Sequence, residues 1–109
     1  MVGNAVPVNL AYAIAKQIMA DLNEYRQAID DIDEKIMALY RQRMQIAREV
    51  ALYKSERNME IFDPDREKEM LDQLEDPGAK QLLQLLMDLS KLEQKRVVDE
   101  GERGHDARR

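Results

Sequence analysis

From Leu22 onward, apolar residues recur at alternating steps of three and four, through Leu22, Tyr25, Ile29, Ile32, Ile36, Leu39, Ile46, Val50 and Tyr53. That spacing returns to one side of a helix at every turn and predicts a single long helix carrying one apolar stripe. The helix is expected to start near Leu10 or at Asp21 and to run to about Arg57, with Asn58 ending it. Counted from Asp21 it is about 37 residues, or ~55 Å at 1.5 Å per residue. It is too long for a monomeric domain of this mass, so something must cover its far end. A short extended connector, Met59 to Phe62, follows. Asp63-Pro64 then pairs an N-cap carboxylate with a proline at the first helical position, which predicts the start of a second helix. Asp76-Pro77-Gly78 is read as the stop of that helix, which reaches about Leu74. A third helix is expected from Ala79 to about Val98, with Leu82, Leu85, Leu86, Leu89 and Leu92 on its apolar side. The predicted class is all-α: a long, a short and a medium helix.

One stripe position breaks the pattern. Arg43 falls in register where a leucine is expected. A guanidinium keeps its proton, and burying it unpaired costs several kcal/mol, so Arg43 should face an anion or a paired carboxylate. The pattern therefore predicts an anion site inside a helical core.

Composition narrows the alternatives. The 109 residues carry a net charge of −5, with 36% charged residues and no Cys. Disulfides and thiolate metal sites are excluded, and the acidic balance argues against nucleic-acid binding, which requires a basic field. No stretch approaches the ~20 apolar residues needed to cross a bilayer. The run from Val6 to Ala15 has no preceding Lys or Arg and no clear A-x-A cleavage site, which argues against a signal peptide. It reads as an N-terminal extension (residues 1–20) that lengthens or packs on the first helix, or as sequence upstream of a start at Met19. A cytoplasmic location is the default expectation. The main domain is expected over 21–98. The tail 99–109, DEGERGHDARR, is expected to be disordered, and its His105, the only histidine, solvated.

Arg26, Arg43 and Lys54 are the candidate cations of the first helix. Arg43 and Lys54 lie eleven residues apart, on nearly the same face and about 16 Å along the axis. Their long side chains can share one small ligand. Arg26 and Lys54 are roughly 42 Å apart, which no metabolite bridges. Arg26 is then either a solvated surface charge or part of a second subunit's site, with the long helices antiparallel. On the third helix Leu83, Leu86, Ser90, Gln94 and Val97 share a face, and Ser90 and Gln94 form a polar patch one turn apart. In Asp63-Pro64-Asp65-Arg66-Glu67, capping and the helix dipole explain Asp63 and Asp65 but leave Arg66 and Glu67 undetermined. The acidic run Asp30-Asp31-Ile32-Asp33-Glu34 resembles a metal-binding motif, but no second acidic cluster matches it. It is read as a solvated face, and no metal site is expected.

Taken in order, these pieces resemble the all-helical class of chorismate mutase. The resemblance spans about Leu22 to Arg96. It is carried by Arg26 with Ile29-Asp30-Asp31-Ile32-Asp33, Leu39-Tyr40-Arg41-Gln42-Arg43 and Val50-Ala51-Leu52-Tyr53-Lys54. Asp63-Pro64-Asp65-Arg66-Glu67, Ser90 and Gln94 complete it. It implies an intertwined helical homodimer with shared active sites, each borrowing Arg26 from the other subunit. It also implies the reaction, the Claisen rearrangement of chorismate to prephenate in phenylalanine and tyrosine biosynthesis. Arg43 and the borrowed Arg26 would hold the two carboxylates of chorismate. Lys54 would contact a carboxylate and the ether oxygen, and Gln94 would donate to that oxygen. Glu67, with the backbone near Asp63, would hold the ring hydroxyl. Ser90 would help bind a carboxylate, Arg66 would support the site, and Val50 would supply apolar wall. No cofactor is implied. The connection from Leu74 to the third helix is shorter than in well-known members, so a tighter turn must bring Ser90 and Gln94 into register.

Two rival functions remain at this level. One is an isochorismate or chorismate pyruvate lyase on the same fold, against which Lys54 and Glu67 stand in mutase positions. The other is a non-catalytic helical interaction protein whose polar residues set pairing register. A mutase that requires a partner enzyme of the shikimate pathway is a further variant of the first reading.

Overall fold

The computed structural model describes the backbone of residues 8–107 and the side chains of residues 8–101. The first seven residues of the expected N-terminal extension and the His105 side chain of the expected disordered tail lie outside the described residues. Three helices make up the described chain: α1 (Val8–Glu56), α2 (Pro64–Asp72) and α3 (Pro77–Ala107). No strand occurs among the described residues. None of these helices is long and apolar enough to cross a membrane. The chain divides into two compact units, Met1–Ala38 and Leu39–Arg109.

The first unit holds the N-terminal part of α1. Its stripe residues Leu22, Tyr25, Ile29, Ile32 and Ile36 are all exposed, Tyr25 at 69%. The partner of Asp31 is Gln27, one turn back, whose Nε2 donates at 2.9 Å.

The second unit holds the rest of α1 with α2 and α3. Its core is small: Met44, Ala47 and Ala51 from α1, and Met87, Ser90 and Gln94 from α3. Ala47 and Ala51 lie one turn apart on the helix and carry the smallest side chains that still favour helix, so a neighbouring helix can approach closely there. The Gln94 Nε2 donates to the Ala47 carbonyl at 3.1 Å, which ties α3 directly to the backbone of α1.

The start of α1 at Val8 matches the earlier of the two expected starts. Its end is a left-handed cap. Asn58 takes φ 55°, in the left-handed region. The Asn58 N–H bonds the Ser55 carbonyl at 3.2 Å and the Met59 N–H bonds the Lys54 carbonyl at 2.9 Å. This pair of bonds is the Schellman arrangement, and asparagine is the side chain that best replaces glycine in it.

Three boundaries and one face differ from the sequence expectation. Helix α2 ends at Asp72, because the Leu74 N–H turns to Leu71 at 3.1 Å and tightens the last turn. Helix α3 starts at Pro77 rather than Ala79. Asp76 caps it, accepting from the Gly78 N–H at 3.1 Å, so Asp76-Pro77 opens α3 as Asp63-Pro64 opens α2. Helix α3 also continues past Val98 to Ala107. The five leucines do not form its buried side: Leu82, Leu85 and Leu92 are exposed, and the face bearing Leu86, Ser90 and Gln94 is the one turned inward. Leucine spacing marks an apolar face, but within this unit both members of the polar pair bond to α1.

Candidate active site

A cleft of about 340 Å³ opens within the second unit between α1, the connector, α2 and α3. From α1 it receives Arg43, Val50 and Lys54; from the start of α2, Asp63, Arg66 and Glu67; and from α3, Ser90 and Gln94. Eight of the expected site residues are thus brought together. Arg26 is not among the lining residues; it lies in the first unit and is exposed.

Each side chain is held by identifiable contacts. Arg43 is half-buried, and its Nη1 donates to the Leu86 carbonyl at 3.2 Å and to Ser90 Oγ. Ser90 Oγ in turn donates to the same carbonyl at 2.8 Å. One end of the guanidinium is therefore fixed, while its remaining N–H groups have no partner in these contacts and are available to an anion. Lys54 sits in the last turn of α1, where the helix dipole favours a cation. Its Nζ donates to the Ile61 carbonyl at 3.1 Å, which leaves two of three protons for a ligand. Gln94 gives one amide proton to Ala47 and retains another.

Asp63 caps α2 by accepting from the Arg66 N–H at 3.2 Å. This bond fixes the first turn, so Arg66 and Glu67 emerge at defined positions on the cleft rim. Glu67 Oε1 pairs with the Lys91 ammonium at 3.1 Å. The bond to Glu67 holds the Lys91 ammonium above the usual lysine range.

Lys91 also lines the cleft, and no sequence signal pointed to it. A lysine on a helix is ordinarily a solvated charge, and its place next to Ser90 is no guide, because successive helix residues point about 100° apart. Ile46, Ala47, Ile61, Met70 and Met87 supply apolar wall that was likewise unassigned, beside Val50. Four cationic side chains (Arg43, Lys54, Arg66 and Lys91) and two carboxylates (Asp63 and Glu67) line the cleft. Such a balance suits a small polyanion. With half-buried donors and apolar walls, the site can orient a ligand and stabilise negative charge developing on it.

Residues 25–95 match the chorismate mutase type II family. The chain is 35% identical over 89 residues to the chorismate mutase of Methanocaldococcus jannaschii, covering 72% of this chain and 89% of that protein. It is 38% identical over 56 residues to the bifunctional chorismate mutase/prephenate dehydratase of Aquifex aeolicus, covering 51% of this chain and 16% of that protein. No solved structure matches at a significant level. The matched segment takes in every expected site residue, from Arg26 to Gln94. The chain belongs to the type II chorismate mutase family and is an isomerase with chorismate mutase activity.

Proposed function

We propose that the cleft in the second unit is the active site for the rearrangement of chorismate to prephenate, and that it is completed by a second copy of the chain. Arg43 and the Arg26 of that second copy take the two carboxylates. Lys54 spans a carboxylate and the ether oxygen, and the spare amide proton of Gln94 goes to the same oxygen. Glu67 accepts the ring hydroxyl, with Asp63 and Arg66 framing it. Ser90 contributes through Arg43, and Val50 closes the apolar side.

The observation that carries this reading is the convergence of Arg43, Lys54 and Gln94 on one cleft, each with donors left unspent. The reaction is unimolecular, so it needs neither nucleophile nor redox partner. Its barrier falls when the compact conformer is selected and when the charge building on the ether oxygen meets fixed donors. Support for the dimer comes from the uncovered row Leu22, Tyr25, Ile29, Ile32 and Ile36, an apolar surface of the kind that marks an interface. Arg26, one residue after Tyr25, would travel with that row into the other subunit.

The test is loss of chorismate's ultraviolet absorbance with purified protein, with the product identified by chromatography. Arg43→Ala should lower kcat/KM by ~10² to 10³, the scale of losing one partner of a buried, hydrogen-bonded charge pair. Turnover by Arg43→Ala equal to the parent's would refute the site assignment. Pyruvate as product would replace the mutase with a lyase.

A further inference from the structure

Lys91 has no part in the reading above, yet three elements meet on its ammonium. Glu67 Oε1 of α2 lies at 3.1 Å and Asp88 Oδ1, one turn earlier on α3, at 3.4 Å. The Phe62 ring of the connector lies beneath it at 4.5 Å to the centroid. The Glu67 and Lys91 side chains retain only 17% and 33% of their accessibility, so the pair is screened less than one on an open surface.

These contacts set two carboxylates and an aromatic face around the ammonium. Lys91 therefore has little to offer a substrate carboxylate, in contrast with Arg43 and Lys54. Glu67 stands in the opposite condition. Lys91 binds one of its oxygens, and the second is free to accept. A glutamate side chain left to itself samples many rotamers, and ordering it on ligand binding costs free energy that prior fixation removes.

We propose that Lys91 is a positioning residue, which fixes the Glu67 carboxylate so that its free oxygen is already aimed at the ring hydroxyl of chorismate. Phe62 and Asp88 fix Lys91 in turn, so the connector, α2 and α3 are joined at one point of the cleft. The inference rests on Glu67 being the hydroxyl acceptor.

The experiment compares four proteins: the parent, Lys91→Met, Glu67→Gln and the double variant. Methionine keeps most of the side chain's length and apolar stem, and thermal melts verify folding. Lys91→Met should lower kcat/KM about tenfold in the parent, the scale of one charge-assisted contact. It should cost less than about twofold once Glu67 is already glutamine, because the two residues act as one unit. Lys91→Arg should recover most of the loss. If Glu67→Gln turns over too slowly, the same four proteins are compared by their dissociation constants for prephenate. An equal cost in both backgrounds overturns the inference while leaving the Glu67 role intact, as does no cost in the parent. A Glu67→Ala variant, which removes the acceptor altogether, as active as the parent overturns the hydroxyl-acceptor role and the inference together.

Discussion

Arg43 divides its guanidinium between the protein and the open cleft. Its Nη1 is committed to Leu86 and Ser90, and the rest of the fork stays uncommitted. Removing Ser90 should therefore do limited harm, since the Leu86 carbonyl still anchors the arginine. Ser90→Ala is expected to lower kcat/KM by about fivefold, near 1 kcal/mol, the net value of one ordinary hydrogen bond. Steady-state kinetics beside Arg43→Ala would check this; equal losses in the two variants would mean that Ser90 does more than steady Arg43. Arg43 and Lys54 were legible in the sequence because each is a charge on a face that apolar periodicity reserves for the core. Gln94 was legible as half of a polar pair with Ser90, but its bond to the Ala47 carbonyl was not, because tertiary approach alone creates it. Lys91 left no trace at all. Nothing about a lysine on a charged helix separates one that solvent surrounds from one held by Glu67 and Phe62.

At the scale of elements, α1 and α3 are also clamped on the side away from the cleft residues discussed above. Arg48 of α1 pairs with Glu93 of α3 at 3.0 Å, and Arg96 joins Glu93 to Glu100. The hydrogen bond from Arg96, followed by that from Arg48, lowers the Glu93 carboxyl to about 2. A carboxyl depressed on folding contributes stability above its ordinary value of 4.5 and loses it as pH falls from there toward about 2. Thermal melts should show a steeper decline in Tm for the parent than for Glu93→Gln across that window. The difference should be a few degrees or less, because both arginines are partly exposed and their pairs are screened. Identical slopes would mean the clamp contributes nothing. Element existence and order were legible, whereas three boundaries were not. Asp76-Pro77 carries the same start signature as Asp63-Pro64, but Gly78 beside it reads as a terminator. The α3 leucines misled for a related reason: Leu82, Leu85 and Leu92 define an apolar face without saying what it meets.

At the scale of the whole molecule, the proposed sharing of Arg26 between subunits makes a quantitative prediction. Arg26→Ala and Arg43→Ala should each be nearly inactive alone, since each damages both sites of a dimer. After mixing and exchange of subunits, half of the dimers are mixed, and in each of these one of two sites is whole. Activity should return to about one quarter of the parent's, as two-fold symmetry requires. No recovery despite proven exchange would mean that Arg26 is not shared between subunits. The antiparallel arrangement proposed behind that test has only conditional support in the sequence: helix length excluded Arg26 from sharing a ligand with Lys54 in one chain, but nothing in the sequence chose between a borrowed residue and a solvated one. A different consequence follows from the turn after α1. Lys54 is bound at both ends to that turn, its carbonyl by the N–H groups of Arg57 and Met59 and its ammonium by the carbonyl of Ile61. Adding or deleting a residue between 57 and 61 would therefore displace the cation itself. The link between α2 and α3 has no such tie to Lys54. Across relatives, insertions and deletions should accumulate in the α2–α3 link, while the first loop keeps its length.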